Sequence, residues 1–146
     1  MGGNQSTVLH SLKFSHYCEA ARWALQIAGE PYEEVSYAPG VHMLLAPTGS
    51  KKEVPKGSTK TSLPFLELKD GTSYSDSFQI VNKFVPGQSI SEEMQDLLDN
   101  KVGPTTRTIV YSYLLCTDKG GEVFQKMLDG CNNGMFQNLV WSIAQV

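Results

Sequence analysis

Apolar positions change their period along this chain, and each change marks an element. Thr7 to Phe14 reads as a strand: Val8 and Leu9 favour extended backbone, and Leu12 and Phe14 continue one face at period two. Directly afterwards Tyr17, Ala21, Ala24, Leu25 and Ala28 recur at helical spacing and make one apolar stripe. Gly29 and Pro31 stop this helix, the first as a C-terminal cap and the second as a breaker. Tyr32 to Tyr37 reads as a second strand with Val35 and Tyr37 on one face, closed by Pro39-Gly40. A strand–helix–strand unit of this length predicts parallel strands joined by a right-handed crossover.

Residues 38–62 lose the pattern. His42-Met43-Leu44-Leu45 can form one turn of helix, and a Gly/Ser/Pro/Lys loop follows with Lys51, Lys52, Lys56 and Lys60. The charge run reads as a solvated loop, from which one lysine, or His42, could reach an anionic ligand. Alternation resumes at Phe65–Lys69 and Thr72–Ser75, which flank Asp70-Gly71. Asp-Gly between strand-like runs predicts a hairpin with a type I′ turn. Asp76 is placed as an N-cap with Gln79 three residues on, the spacing of a capping box. Phe78, Val81 and Val85 give the next helix its expected buried side, and Pro86-Gly87 end it.

Beyond Gly87 the pattern is wholly helical. Ser91 caps a helix from Glu92 with Met94, Leu97 and Leu98 on one side. Gly103-Pro104 is expected to interrupt it, with helix again over 105–115, a loop over 118–121, and further helices over 122–128 and 135–146. The last stretch, including Leu139, Val140, Trp141 and Ile143, carries an apolar stripe and no stop signal, which suggests a chain cut in mid-domain. If exposed, that stripe favours aggregation or partner binding.

Composition narrows the function classes. A chain of 146 residues with 40% hydrophobic content can pack a core. The net charge of −3 argues against a general nucleic-acid binder. No apolar run approaches a membrane span, and no secretory leader pattern is present. Cys18, Cys116 and Cys131 are odd in number and scattered, so a reducing, cytoplasmic compartment is expected. Met1-Gly2-Gly3-Asn4-Gln5-Ser6 fits an N-myristoylation pattern at Gly2, but no basic cluster or nearby cysteine supplies a second anchor. A flexible polar tail over 1–6 is the expectation, without stable membrane insertion. His10, His16 and His42 do not have the spacing of a metal set, so no metal site is expected.

The chemistry concentrates in the turn that joins the first strand to the first helix. It carries a hydroxyl at Ser15 and a thiol at Cys18. Unpaired N–H groups and the positive end of the helix dipole there stabilise an anion or a thiolate. Ser15-His16-Tyr17-Cys18-Glu19-x-Ala21-Arg22-Trp23-Ala24-Leu25, followed by Ala28-Gly29-x-Pro31-Tyr32, resembles the first strand and helix of glutathione S-transferase N-terminal domains. Those domains are thioredoxin-like, and Ser-x-x-Cys stands where glutaredoxins have Cys-x-x-Cys. Thr61-Ser62-Leu63-Pro64-Phe65 is similar to the family's second signature, and Ser75-Asp76-Ser77 to its third. Gly103-Pro104-x-x-Arg107-x-x-x-Tyr111-x-x-Leu114-Leu115 looks like the start of the helical second domain of bacterial-type relatives.

The resemblance implies an α/β fold: a thioredoxin-like βαβ-ββα domain over 7–86, which binds glutathione, then an incomplete all-α domain over 87–146. It implies a cis bond before Pro64, which leaves the Leu63 backbone to pair with the cysteinyl part of glutathione. It implies that Asp76 and Ser77 hold the ammonium and carboxylate of the γ-glutamyl end. Ser15 would hydrogen-bond the glutathione sulfur and favour its thiolate, the form that attacks an electrophile. Glutathione is then a co-substrate, and a homodimer is the family expectation. Two other readings stay open. One is a non-catalytic interaction module, since fold alone does not settle function. The other is a glutathione-dependent thiol reductase that uses Cys18. Tyr17 reads as packing, and Arg22 and Trp23 as packing and interface residues.

Overall fold

The computed structural model describes residues 6–47, 59–87, 91–129 and 131. They fall into two compact units, one within residues 1–89 together with 131 and one within residues 90–130. The first unit is built on a four-stranded mixed sheet. Strands β1 (Val8–Leu12), β2 (Glu33–Tyr37), β3 (Phe65–Glu67) and β4 (Ser73–Tyr74) lie in the order β2-β1-β3-β4. Strand β1 runs parallel to β2, with Leu12 beside Tyr37, and antiparallel to β3, with His10 beside Phe65. Helix α1 (His16–Ala28) makes the crossover from β1 to β2, α2 (His42–Leu45) is a single turn, and α3 (Ser77–Phe84) follows β4. This is the βαβ-ββα order of a thioredoxin-like domain.

Helices α1 and α3 pack on each other, and their contact with the sheet forms the core. Leu9, Ala21, Ala24, Leu25, Leu66 and Ile80 make that core, with Tyr32, Leu68, Tyr74, Val81, Phe84 and Val85 packed around it. Small alanines on α1 let it approach both the sheet and α3 closely. Gly29 ends α1 in the left-handed region at φ 67°. Its N–H bonds the Gln26 carbonyl and the N–H of Glu30 bonds that of Leu25, the two bonds of a Schellman cap.

Several expectations are corrected. The buried side of β1 is Leu9 and Ser11, not Leu12 and Phe14, and Phe14 is largely exposed. On α1 Cys18 joins Ala21, Ala24 and Leu25 in the interior, while Ala28 is exposed. The main core residue of α3 is Ile80, with Phe78 only half-buried. The hairpin turn is not type I′, because no non-glycine residue among those described has positive φ. Instead Gly71 N–H bonds the Leu68 carbonyl at 2.9 Å, Leu68 N–H bonds that of Thr72 at 2.8 Å, and Gly71 alone sits at φ 83°. That is a three-residue loop with a left-handed glycine after the turn. Asp70 Oδ1 accepts from Thr72 N–H, which holds its carboxyl below the usual range.

The second unit is helical: α4 (Glu92–Leu97), a π-helical stretch (Leu98–Val102), α5 (Gly103–Cys116) and α6 (Asp118–Asp129). Ser91 caps α4 by accepting from Met94 N–H at 3.2 Å. Gly103-Pro104 does not break the chain's helical course. Pro104 lies in the first turn of α5, where its missing N–H costs least. Residues 118–121 are helix rather than loop, because α6 begins against the end of α5 and Gly120 permits the approach. A Cβ there would lie 2.0 Å from the Tyr113 carbonyl oxygen. Thr117 bridges the junction, donating to that oxygen at 2.8 Å and accepting from Gly120 N–H at 2.9 Å. Among the described residues no helix is long and apolar enough to cross a membrane. The Gly2 pattern and the stripe over 139–143 lie outside the described residues.

Candidate functional site

Strand directions bring three chain segments to one end of the sheet. Strand β1 ends at Leu12 and turns into α1. Strand β3 is antiparallel to it, so the residues just before Phe65, Leu63 and Pro64, lie at that same end. Strand β4 is antiparallel to β3, so it ends there too and delivers the start of α3. The N-termini of two packed helices and the segment before β3 therefore open on one edge. Ligands of open α/β sheets bind at the carboxyl ends of strands, where helix N-termini present N–H groups.

Ser15 is the N-cap of α1 in extended backbone (φ −83°, ψ 124°), and its side chain makes no capping bond. Its N–H bonds the Leu12 carbonyl at 3.1 Å, and its own carbonyl accepts from Glu19 N–H at 2.9 Å. Cys18 is fully buried, and its Sγ accepts from Leu12 N–H at 3.2 Å. Burial pushes the thiol up; the Leu12 amide, the Ser15 hydroxyl and the Arg22 charge oppose this without overcoming it. The His16 and Tyr17 rings lie 4.1 Å apart between centroids, tilted by 37°, and Tyr17 is only half-buried.

The Leu63–Pro64 bond is cis. Pro64 is fully buried. Asp76 is the N-cap of α3 and accepts from Gln79 N–H at 2.8 Å. The Gln79 side chain returns one residue further than in a regular capping box and accepts from Ser75 N–H at 2.9 Å. Ser77 follows, buried, in the first turn. The candidate residues from the sequence thus lie on segments that share one end of the sheet. His42, half-buried, opens α2, and Lys60 is exposed in the turn before Leu63. Lys51, Lys52 and Lys56 lie outside the described residues. Among those described, no group of three or more His, Cys, Asp or Glu side chains could hold a metal ion.

One cluster escaped the sequence. Arg22 donates to Glu34 Oε1 at 2.9 Å and 2.7 Å and to Glu19 Oε2 at 2.7 Å. It also reaches Ser11 Oγ at 3.3 Å and the Leu12 carbonyl at 3.5 Å. Ser11 and Ser36 donate to Glu34 as well. Burial pushes the Glu34 carboxyl up, but the bonds from Arg22 and Ser11 and the Arg22 charge more than offset it, leaving it below its ordinary value. The Arg22 guanidinium is raised further, its loss of solvent outweighed by the two carboxylates. Arg22 and Glu34 are 12 positions apart, so no local spacing announces the pair. Trp23 beside it is 59% exposed.

These features define a thioredoxin-like α/β domain whose strand–turn–helix opens on a cis-proline. The glutathione S-transferase N-terminal domain family matches residues 9–85, more than half of the chain, and the chain belongs to the glutathione S-transferase superfamily. It is similar to a solved glutathione S-transferase of Ceriporiopsis subvermispora in complex with glutathione, at 14% identity and a TM-score of 0.43. That likeness covers 89% of this chain and 61% of the other, so the chain spans less than two thirds of its length. No curated protein matches the chain significantly.

Proposed function

We propose that the domain over 7–86 binds glutathione at the edge formed by the starts of α1 and α3 and activates its thiol for conjugation to an electrophile. The observation that carries the reading is the Ser15 hydroxyl. It stands at a helix N-terminus and is not spent on capping. There it can donate to a thiolate, beside the positive end of the α1 dipole. The Leu63 backbone pairs with the cysteinyl part of glutathione. Asp76 and Ser77 hold the charged γ-glutamyl end at the start of α3. Conjugation follows as attack of the glutathione sulfur on the electrophile, with no covalent bond to the protein. On the family's pattern a helical second domain supplies the electrophile site, and the protein acts as a cytoplasmic homodimer in detoxification.

A reductase working through Cys18 is disfavoured, because that sulfur is fully buried and holds its proton. The test is calorimetric titration with glutathione, followed by turnover of a generic electrophile. Saturable binding is expected, with turnover that falls in Ser15→Ala and persists in Cys18→Ser. A folded protein that does not bind glutathione refutes the reading and leaves the interaction module.

A further inference from the structure

Ser15 sits on a turn that the core does not grip. The turn closes through the Ser15 N–H, which bonds the Leu12 carbonyl at 3.1 Å. The two residues between, Lys13 and Phe14, are exposed, so burial does not fix it. No capping bond fixes the hydroxyl either, whereas Asp76 and Ser91 do cap their helices with their side chains. The aim of the Ser15 hydroxyl therefore follows from where the Leu12 carbonyl is held.

A second donor meets that carbonyl. Arg22 lies two turns along α1 from Ser15, on the same helix face, with Glu19 between them. Its Nη2 reaches the Leu12 carbonyl oxygen at 3.5 Å and Ser11 Oγ at 3.3 Å, at the end of β1. The guanidinium is not free to swing. Nε and Nη2 both donate to Glu34 Oε1 on β2, at 2.9 Å and 2.7 Å, and Nη1 donates to Glu19 Oε2 at 2.7 Å. The Arg22 side chain is only 12% exposed, so water competes little for these bonds. A rigid planar fork suits the task, because it donates at once to β1, to β2 and to its own helix.

We propose that Arg22 is a positioning residue for Ser15: its guanidinium, anchored on Glu34, holds the Leu12 carbonyl and so fixes the turn that aims the Ser15 hydroxyl at the glutathione sulfur. The inference rests on the glutathione-binding reading above. Arg22 acts through the backbone, and no covalent bond to it forms or breaks. Its charge is matched by Glu34 and Glu19, so its effect is carried by geometry and not by attraction for the thiolate. A displacement of about 1 Å is enough to weaken a hydrogen bond on which the chemistry depends.

The test compares wild type, Arg22→Lys and Glu34→Gln, each also in a Ser15→Ala background. Glutathione affinity is measured by calorimetry. The bound thiol is titrated with pH by its thiolate ultraviolet absorbance, well below the unfolding temperature of each variant. Arg22→Lys keeps the charge and loses the fork. Glu34→Gln keeps the fork and weakens its anchor, which keeps the test open if the lysine variant fails to fold. Each is expected to bind glutathione within about threefold of wild type, with the bound thiol titrating about half a unit to one unit higher. In the Ser15→Ala background neither is expected to raise the titration further, because the hydroxyl they position is gone. A rise that keeps its full size without the hydroxyl overturns the proposal, since it reaches the thiolate by another route. A folded lysine variant that titrates with wild type also overturns it, because a point charge then suffices. Should the lysine variant not fold, a glutamine variant that titrates with wild type overturns it and leaves the glutathione site standing. Wild type that fails to bind glutathione overturns the inference together with the reading beneath it.

Discussion

At the scale of single residues, Ser15 separates two roles that an N-cap usually combines. Removing a Ser cap ordinarily costs about 1 kcal/mol of stability. Here the hydroxyl accepts nothing from the helix amides, so Ser15→Ala is expected to change stability by less than about 0.5 kcal/mol. The loss falls on chemistry instead. One hydrogen bond to a thiolate is worth roughly a 10- to 100-fold change in turnover, and glutathione affinity should move far less. Thermal unfolding and steady-state kinetics on the same preparation check both halves. Ser15 was legible because a hydroxyl and a thiol straddle a helix start. The depth of Cys18 was legible in part: a lone cysteine on a helix is usually a small buried apolar residue, but a stripe drawn through Tyr17 passes it by, and the folded helix buries it. Arg22 and Glu34 were hidden for another reason, since their partnership exists only once β2 is laid beside β1.

At the scale of elements, punctuation residues were read more reliably than faces. Gly29 and Asp76 end and begin their helices as their chemistry dictates. The turn at Asp70-Gly71 and the start of α6 were misread because each depends on a close approach that spacing does not reveal. Two predictions belong here. Asp76 caps α3 and is proposed to hold the ammonium of glutathione, and asparagine separates the tasks because it caps as well as aspartate but carries no charge. Asp76→Asn should keep the wild-type melting temperature and lose about tenfold in glutathione affinity. Asp76→Ala should lose both affinity and about 1 kcal/mol of stability. Calorimetry beside thermal unfolding distinguishes them; a drop in stability without a drop in affinity would confine Asp76 to capping. Gly120→Ala tests the α5–α6 junction. Its Cβ would lie 2.0 Å from a backbone oxygen and 2.7 Å from the Leu114 Cα, atoms that cannot rotate away. The expected loss is about 2 kcal/mol, read as faster hydrogen exchange across residues 91–129.

At the scale of the molecule, the order of elements in the first unit was legible and the inward side of its central strand was not. The reason is that Ser11 and Ser36, tied into a polar cluster with Glu34 and Arg22, take buried strand positions where alternation looks for apolar side chains. A buried cluster of this kind ties the unit's stability to pH, and the sign follows from Glu34. Its carboxyl titrates lower in the folded chain than in the unfolded one. The carboxylate therefore stabilises the fold fully above the unfolded value of about 4.3, and that contribution is lost as pH falls through the folded value. Glu34→Gln should cost about 2 kcal/mol at neutral pH, because Arg22 stays half-buried with Glu19 as its remaining carboxylate. The same variant should lose less stability than wild type between neutral pH and pH of about 3, since the titrating group is gone. Urea unfolding at several pH values measures the two slopes. Parallel curves would mean that Glu34 gains nothing from Arg22 in the folded state. Converging curves would make the cluster a main electrostatic fastening of α1 to β2, and so of the turn that carries Ser15.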